Sequence, residues 1–356
     1  MAPTTLPLLE EWCSALPALA PGEELILRPS GQKCTATLRG EGVAPRVFVI
    51  HAGVRSALDP TADAGLPGAT LIDAAEHCQR WVGEVTGPLV EASLVAWRPG
   101  RRAVVRLRSE DGRVHWLKLL DPKTYRRAVV AFAAVRHVPS GLRLITPTVL
   151  IPAVCGYLAP SADGTPLHHL LTPSHPQLLH EVAQAVTSLG AVETAPGLPE
   201  SDFQHARDAA CGMLEKAASV SVAGATLEAA LQRLPAPGCG PRGLVHGDLH
   251  DKQLFLHGAT ASVIDLEGMA VGDTRFDAIN LVEHLRLRDL QRHGRDLGGA
   301  DALLARLGFS RDASEVVAYQ AVVRARLSAV YRLRPRWLTL ADRLHEEALA
   351  LAHQVS

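Results

Sequence analysis

Hydrophobic and polar positions fall into short, turn-bounded runs over the first third of the chain and into helical repeats later. Residues 24–27, 34–38 and 47–50 are β-rich runs split by Pro-Ser-Gly and Gly-Glu-Gly turns. A short helix is predicted over residues 7–19, a loop over 56–67 and a helix over 71–82. Strands are predicted over 93–97, 103–108 and 113–120, the first two joined by the tip Arg98-Pro99-Gly100-Arg101-Arg102. In the third, Val114, Trp116, Lys118 and Leu120 share one face by the two-residue alternation. A helix over 124–135 follows, and no acidic residue occurs in it. Residues 144–156 are apolar and interrupted by proline. Helical periodicity returns over 180–189 and 202–220, and a Pro/Gly loop spans 235–242.

The stretch from Leu244 to Asp277 carries the chemistry. Leu244 and Val245 read as the end of a strand, followed by the polar loop His246-Gly247-Asp248-Leu249-His250-Asp251-Lys252-Gln253. Residues 254–256 and 261–264 read as two strands around a turn at 257–260, and the second ends on Asp265. Such a hairpin sets Asp248 and Gln253 beside Asp265, bringing two carboxylates and an amide together. Oxygen ligands of this kind suit Mg²⁺, which ordinarily sits on one or two carboxylates plus substrate phosphates. A further carboxylate can accept the proton of an attacking hydroxyl.

Asp248 and Gln253 are five apart and Asp265 is 17 beyond Asp248, the order in which kinases place a catalytic Asp, an amide ligand and a metal Asp. With His246-Gly247-Asp248-Leu249-His250, Ile264-Asp265 and Gly272-Asp273 as they stand, the chain resembles the aminoglycoside phosphotransferase family of kinase-like small-molecule kinases. One departure is Gln253, where the family has Asn; it keeps the amide oxygen on a side chain one methylene longer.

The resemblance implies an α+β, two-lobed protein-kinase-like fold with a small antiparallel β lobe and a larger, mainly helical lobe. It divides the chain into a β-rich N-terminal extension (1–85), a small lobe with its connector (86–160) and a large catalytic lobe (161–356). It implies ATP and Mg²⁺ as cofactors and a hydroxyl as phosphoryl acceptor. Asp248 would be the base, Gln253 and Asp265 the metal ligands, and Lys118 the phosphate lysine. At the tip where kinases carry a glycine-rich loop, backbone amides around Gly100 with Arg101 or Arg102 would meet phosphate, or else the arginines are those of a solvated hairpin. Residues 157–160 would connect the lobes. His250 falls near a γ-phosphate or packs into the loop. His246 would brace the loop, Asp273 and Asp277 would be structural, with Asp277 capping a helix over 278–288, and Glu267 would touch either the outer metal shell or solvent. The acid-free helix leaves Lys118 without the Glu partner usual in kinases, so it would rest on Asp265 and ATP alone or on an acid from elsewhere.

Composition narrows the partners. With 47% hydrophobic and 21% charged residues among 356 and a formal charge of −1, nothing points to nucleic acid or a membrane. No apolar run reaches the roughly 20 residues of a membrane span. The N-terminus lacks a basic region before its apolar residues, and the six cysteines form no CxxC pair; a cytoplasmic protein with reduced thiols is expected. The Arg- and Ala-rich, Lys-poor composition suggests a GC-rich bacterial genome. Residues 281–356 hold 12 Arg against 9 Asp and Glu, including Arg324, Arg326, Arg332, Arg334 and Arg336. This favours a neutral or anionic small-molecule acceptor over a polycation, or else marks a solvated basic helix. A precursor peptide bearing Ser or Thr is the alternative acceptor, and a nucleotide-binding pseudokinase or scaffold the alternative role.

Overall fold

Five antiparallel strands build the small lobe, in the spatial order Val149–Ile151, Gly156–Pro160, Val114–Leu120, Arg102–Ser109, Leu89–Arg98. The structure is a computed structural model that describes residues 7–30, 33–72, 74–170, 176–218 and 225–355. Along Val114–Leu120 the alternation predicted from sequence holds. His115, Leu117 and Leu119 are buried, Leu117 and Leu119 in the small-lobe core, while Lys118 stands on the opposite face. Residues 157–160, expected to connect the lobes, are a buried inner strand instead, with Tyr157 paired to Lys118 and Pro160 to His115. They are apolar and flanked by strands on both sides, so the connection starts only after Pro160.

The helix after the lysine strand spans Pro122–Ala134, two residues earlier than expected at its start. Its start is set by Asp121, whose side chain accepts from the N–H groups of Lys123 and Thr124, with Pro122 in the first turn where its missing donor costs nothing. The helix expected over 71–82 is displaced to Ala75–Thr86, because residues 69–71 close a separate 3₁₀ turn.

The large lobe is mainly helical. Its centre is the helix Ser314–Arg332, buried along most of its length against Leu338–Val355, Phe203–Ala218 and Arg275–His293. The expected solvated basic helix is thus an inner helix whose arginines are committed individually: Arg324 pairs with Glu283 and Arg332 with Asp342. The helix expected over 202–220 is described as Phe203–Ala218, and residues 219–220 lie outside the described residues. Among the described residues no helix is long and apolar enough to cross a membrane.

The N-terminal region is a four-stranded antiparallel meander, Glu24–Ser30, Lys33–Arg39, Arg46–His51 and Val54–Ala57. Leu25, Leu27, Ala36, Leu38 and Ile50 join the core of the large lobe, and the Leu27 amide donates to Leu333 O at 2.8 Å. Val47, Leu66, Ala69, Leu71 and Ile72 instead join the small-lobe core. The extension therefore bears on both lobes.

Candidate active site

The hairpin forms as the sequence implies, with Leu254–His257 antiparallel to Thr260–Val263 and Leu254 opposite Val263. The Ile264 amide then donates to Gln253 O at 3.1 Å, which fixes Gln253 beside the residue preceding Asp265. Asp265 itself is left-handed, φ +65° and ψ 46°. A non-glycine residue holds this conformation only when its surroundings impose it, and such residues cluster at functional sites. The kink starts the 3₁₀ turn Leu266–Gly268 and brings Glu267 back over the lysine strand.

That return supplies what the helix Pro122–Ala134 lacks. Lys118 Nζ donates to Asp265 Oδ1 and, at 2.8 Å, to Glu267 Oε1, while the Tyr157 hydroxyl donates to the same Glu267 oxygen. Lys118 and Glu267 are both shielded, with side chains 12% and 15% exposed. Burial disfavours the Lys118 ammonium, but the two carboxylates outweigh it and hold its pKa above the ordinary value. Burial likewise opposes ionisation of Asp265; Lys118, with Arg102 and His246, outweighs it and holds that carboxyl below its usual range. Tyr157 is pushed well up, first by burial and then by Glu267, so it stays a donor. Glu267, read from sequence as a metal-shell or solvent residue, is the acid partner of Lys118. The signal was present: an acid-free helix, and an acid two residues past Asp265.

The catalytic loop is braced from below. The backbone amides of His246 and Gly247 donate to the buried carboxylate of Asp277, the second at 3.0 Å. His246 Nε2 donates to Ile264 O at 2.8 Å, and its Nδ1 accepts from the Asp248 amide at 3.3 Å. His246 is therefore spent on holding the loop. Asp277 does not cap the helix over 278–288: that helix is Arg275–His293, and Asp277 lies inside its first turn with its oxygens given to the loop. Asp273 holds Arg275 through its side chain and accepts from the Tyr319 hydroxyl at 3.0 Å, a structural part. Asp251 is fully buried against Arg288, and the Asn280 amide donates to Leu249 O at 2.7 Å.

Asp248 is left pointing outward, its side chain 53% exposed, and accepts from Arg326 at 2.7 Å. Arg326 also donates to Asn280 Oδ1 at 3.1 Å. Gln253 is 5% exposed, and its Oε1 is buried without a hydrogen-bond partner among the described residues. A buried acceptor without a donor is costly, and an unmet cation is one cause of such an orphan. An amide oxygen and a carboxylate suit a hard divalent ion, so the residues fit Mg²⁺. Among the described residues no cluster of three or more His, Cys, Asp or Glu offers an alternative metal site. The His250 ring lies 5.0 Å from that of His284, its Nδ1 accepts from the Lys252 amide at 3.2 Å, and burial draws its pKa below the ordinary value against the pull of Asp248 and Asp251.

At the hairpin tip the structure departs from expectation. The Gly100 amide donates to Asp63 Oδ2 at 2.8 Å, and the Trp97 indole donates to the same oxygen at 2.9 Å. A Cβ at Gly65 would lie 2.5 Å from Gly100 Cα, so the extension's backbone rests directly on the tip. The Gly100 amide is thereby taken out of the phosphate-binding set, because its one donor is already spent. Arg101 is exposed at the tip. Arg102, the other arginine read from sequence as a phosphate contact, is close enough for its charge to act on both Asp265 and Tyr157.

Comparison with solved structures bears on the fold. An amicoumacin kinase in complex with AMP-PNP, Ca²⁺ and amicoumacin is 12% identical, with a TM-score of 0.51 over 74% of this chain and 92% of that one. A thermostable mutant of the aminoglycoside phosphotransferase APH(4)-Ia, with AMP-PNP and hygromycin B, is 13% identical over 79% and 99% of the two chains (TM-score 0.49). The macrolide 2'-phosphotransferase MphH from Brachybacterium faecium is 14% identical over 79% and 97% (TM-score 0.47). No curated protein matches the chain in sequence. The model of the APH phosphotransferase enzyme family matches residues 91–316, and the chain belongs to that family.

Proposed function

We propose that the protein moves the γ-phosphoryl group of ATP to a hydroxyl of a small molecule. The observation that carries this is the convergence of Lys118, Asp265 and Glu267, together with the unpartnered side-chain oxygen of Gln253, whose backbone accepts from the residue before Asp265. Lys118 and Arg102 supply positive charge for the nucleotide phosphates, and the sharing of Lys118 between two carboxylates leaves it fixed but not locked to either. Asp265 and Gln253 would hold Mg²⁺, whose charge, when bound, offsets that developing on the phosphates. Asp248 accepts the proton of the acceptor hydroxyl as its oxygen bonds to the γ-phosphorus and the bond to the β-phosphate oxygen breaks, releasing ADP. Arg326 is the orienting partner that aims Asp248, in the way a base is held by a third group. His250, whose Nδ1 accepts from the Lys252 amide, has its Nε2 left to donate to a phosphoryl oxygen.

The experiment is a thermal-shift titration with AMP-PNP, with and without Mg²⁺. The expected result is a rise in midpoint that needs both and is lost in Asp265→Ala. No rise with nucleotide at any Mg²⁺ concentration overturns the proposal and leaves the fold as a scaffold.

A further inference from the structure

A second cavity of about 740 Å³ opens beside the catalytic loop, away from the lysine–carboxylate cluster. Its walls include Glu24, the turn after Lys33–Arg39, Val95 and Ala96 of strand Leu89–Arg98, His168, Lys252 of the loop, part of the helix Arg275–His293, and the segment from Tyr331 to Trp337. Six Arg and Lys side chains line it against two glutamates, Glu24 and Glu41. Glu24 is already engaged, 3.5 Å from Arg334 and accepting from the Trp337 indole at 3.1 Å. It is the cross-strand neighbour of Arg39, but its ion pair is with Arg334. Arg39 and Lys252 consequently make no ion pair or side-chain hydrogen bond among the described residues. Arg334 keeps a buried Nε with no partner, and so does the Nδ1 of His168 on the opposite wall.

Like charges held around a concave space raise the local potential and concentrate anions, an arrangement that destabilises the fold until something compensates it. A neighbouring guanidinium registers the strain: burial, then repulsion from Arg98, Arg334, Arg102 and Arg39, draws Arg28 down to about 10. A structural role for Arg39 and Lys252 would pair them, as Arg288 on the same wall is paired with Asp251 and Arg334 with Glu24. For Arg39 and Lys252 the pairing is left to an occupant. Lys252, which lines the cavity, belongs to the same loop as Asp248, so the cavity borders the loop that carries the proposed base.

We infer that this cavity holds the anionic portion of the acceptor, an oxyanion carried by a hydroxyl compound, through Arg39, Lys252 and Arg334. The inference takes the phosphotransferase reading as given when it calls the occupant an acceptor. It assigns to the N-terminal extension a direct part in substrate recognition, through Arg39.

The test is isothermal titration of the full chain, alone and saturated with AMP-PNP and Mg²⁺, using matched probes: glucose 6-phosphate, gluconate, uncharged glucose and the cationic aminoglycoside kanamycin. Saturation with AMP-PNP occupies the nucleotide-phosphate site. The expected result is saturable binding of glucose 6-phosphate, gluconate or both, weakening as salt is raised. Which of the two binds identifies the oxyanion as phosphate or carboxylate. Binding should fall at least about tenfold in Arg39→Glu, the equivalent of about 1.4 kcal/mol. Arg39→Ala and Lys252→Ala serve if the reversal does not fold, each with a smaller loss. The inference is overturned if neither anion binds, if glucose or kanamycin binds as tightly, or if the variants bind like the parent. Anion binding without AMP-PNP binding leaves the cavity standing and removes the phosphotransferase reading; the converse removes only the cavity's role.

Discussion

Replacing Glu267 by Gln tests the most unusual feature of the site with the smallest change of shape. The side chain keeps an oxygen for both Lys118 and Tyr157, and loses the charge that makes those two hydrogen bonds strong. A hydrogen bond to a charged group contributes about 1.5–3 kcal/mol and a neutral one about 0.5–1.5. Each of the two bonds therefore loses roughly 1 kcal/mol. The two carboxylates share one ammonium, so removing one charge also relieves their mutual repulsion and trims the loss. Glu267→Gln is expected to cost about 1–2 kcal/mol in urea unfolding, and Glu267→Ala, which leaves the Tyr157 hydroxyl buried without an acceptor, about 2–4. The functional effect is more specific. With Glu267 neutral, Lys118 closes on Asp265 alone and withholds it from the metal. The Mg²⁺ concentration giving half the maximal AMP-PNP thermal shift should rise, and kcat/KM for nucleotide should fall about tenfold, or about 1.4 kcal/mol. A Glu267→Gln protein with parental unfolding free energy and parental Mg²⁺ dependence would show that Glu267 does not partner Lys118, and the account of the acid-free helix would fail.

Four further outcomes are expected. Asp248→Ala should lower kcat by about 10²–10⁴ in a coupled ADP-release assay while AMP-PNP binding is retained, the loss ordinary for a general base; turnover at the parental rate removes Asp248 from that role. Gln253→Leu should leave urea stability equal or slightly higher, because it deletes an unpaired buried acceptor, yet abolish the Mg²⁺-dependent part of the nucleotide shift. Asp63→Ala frees the Gly100 amide and the Trp97 indole and should lower stability by about 1–3 kcal/mol, measured by urea unfolding; no change would mean the extension does not hold the tip. Burial, then the neighbouring His169, draws His168 to about 4 from an ordinary 6.5, and burial draws His284 well below its usual value. The unfolded chain thus takes up protons that the folded one refuses, so stability should fall as pH drops below about 6.5, with the His168 share of the loss complete below about 4. A thermal midpoint that rises on acidification through that window contradicts this burial.

The catalytic loop and its hairpin were legible in sequence because their parts lie within about 20 residues and are tied by local turns. The strand bearing Lys118 was legible by its alternation and by the rarity of lysine, five in the chain. What escaped depends on contacts between distant segments. Arg326 reaches Asp248 across 78 residues, and Asp63 reaches Gly100 across 37. Neither separation leaves a periodic mark. Residues 157–160 were misplaced because an apolar run before a Ser-Ala-Asp-Gly turn reads equally as connector or inner strand; pairing with Lys118's strand decides it. Asp277 looked like a cap because it precedes an apolar helical repeat, and only the fold shows its oxygens turned to the loop.

The extension gives the two lobes a second strut. The chain crosses once after Pro160, and it also runs from a sheet seated on the large lobe, through Leu58 and Asp63, to the tip of the small-lobe hairpin. A body hinged at one point swings freely; one held at two separated points can only twist or flex between them. Opening of the cleft would have to shear either the Leu27–Leu333 seat or the Asp63–Gly100 contact. Such a strut would leave the cleft less freedom to lose on closing than a single hinge does, and opening it would be expected to flex the extension itself.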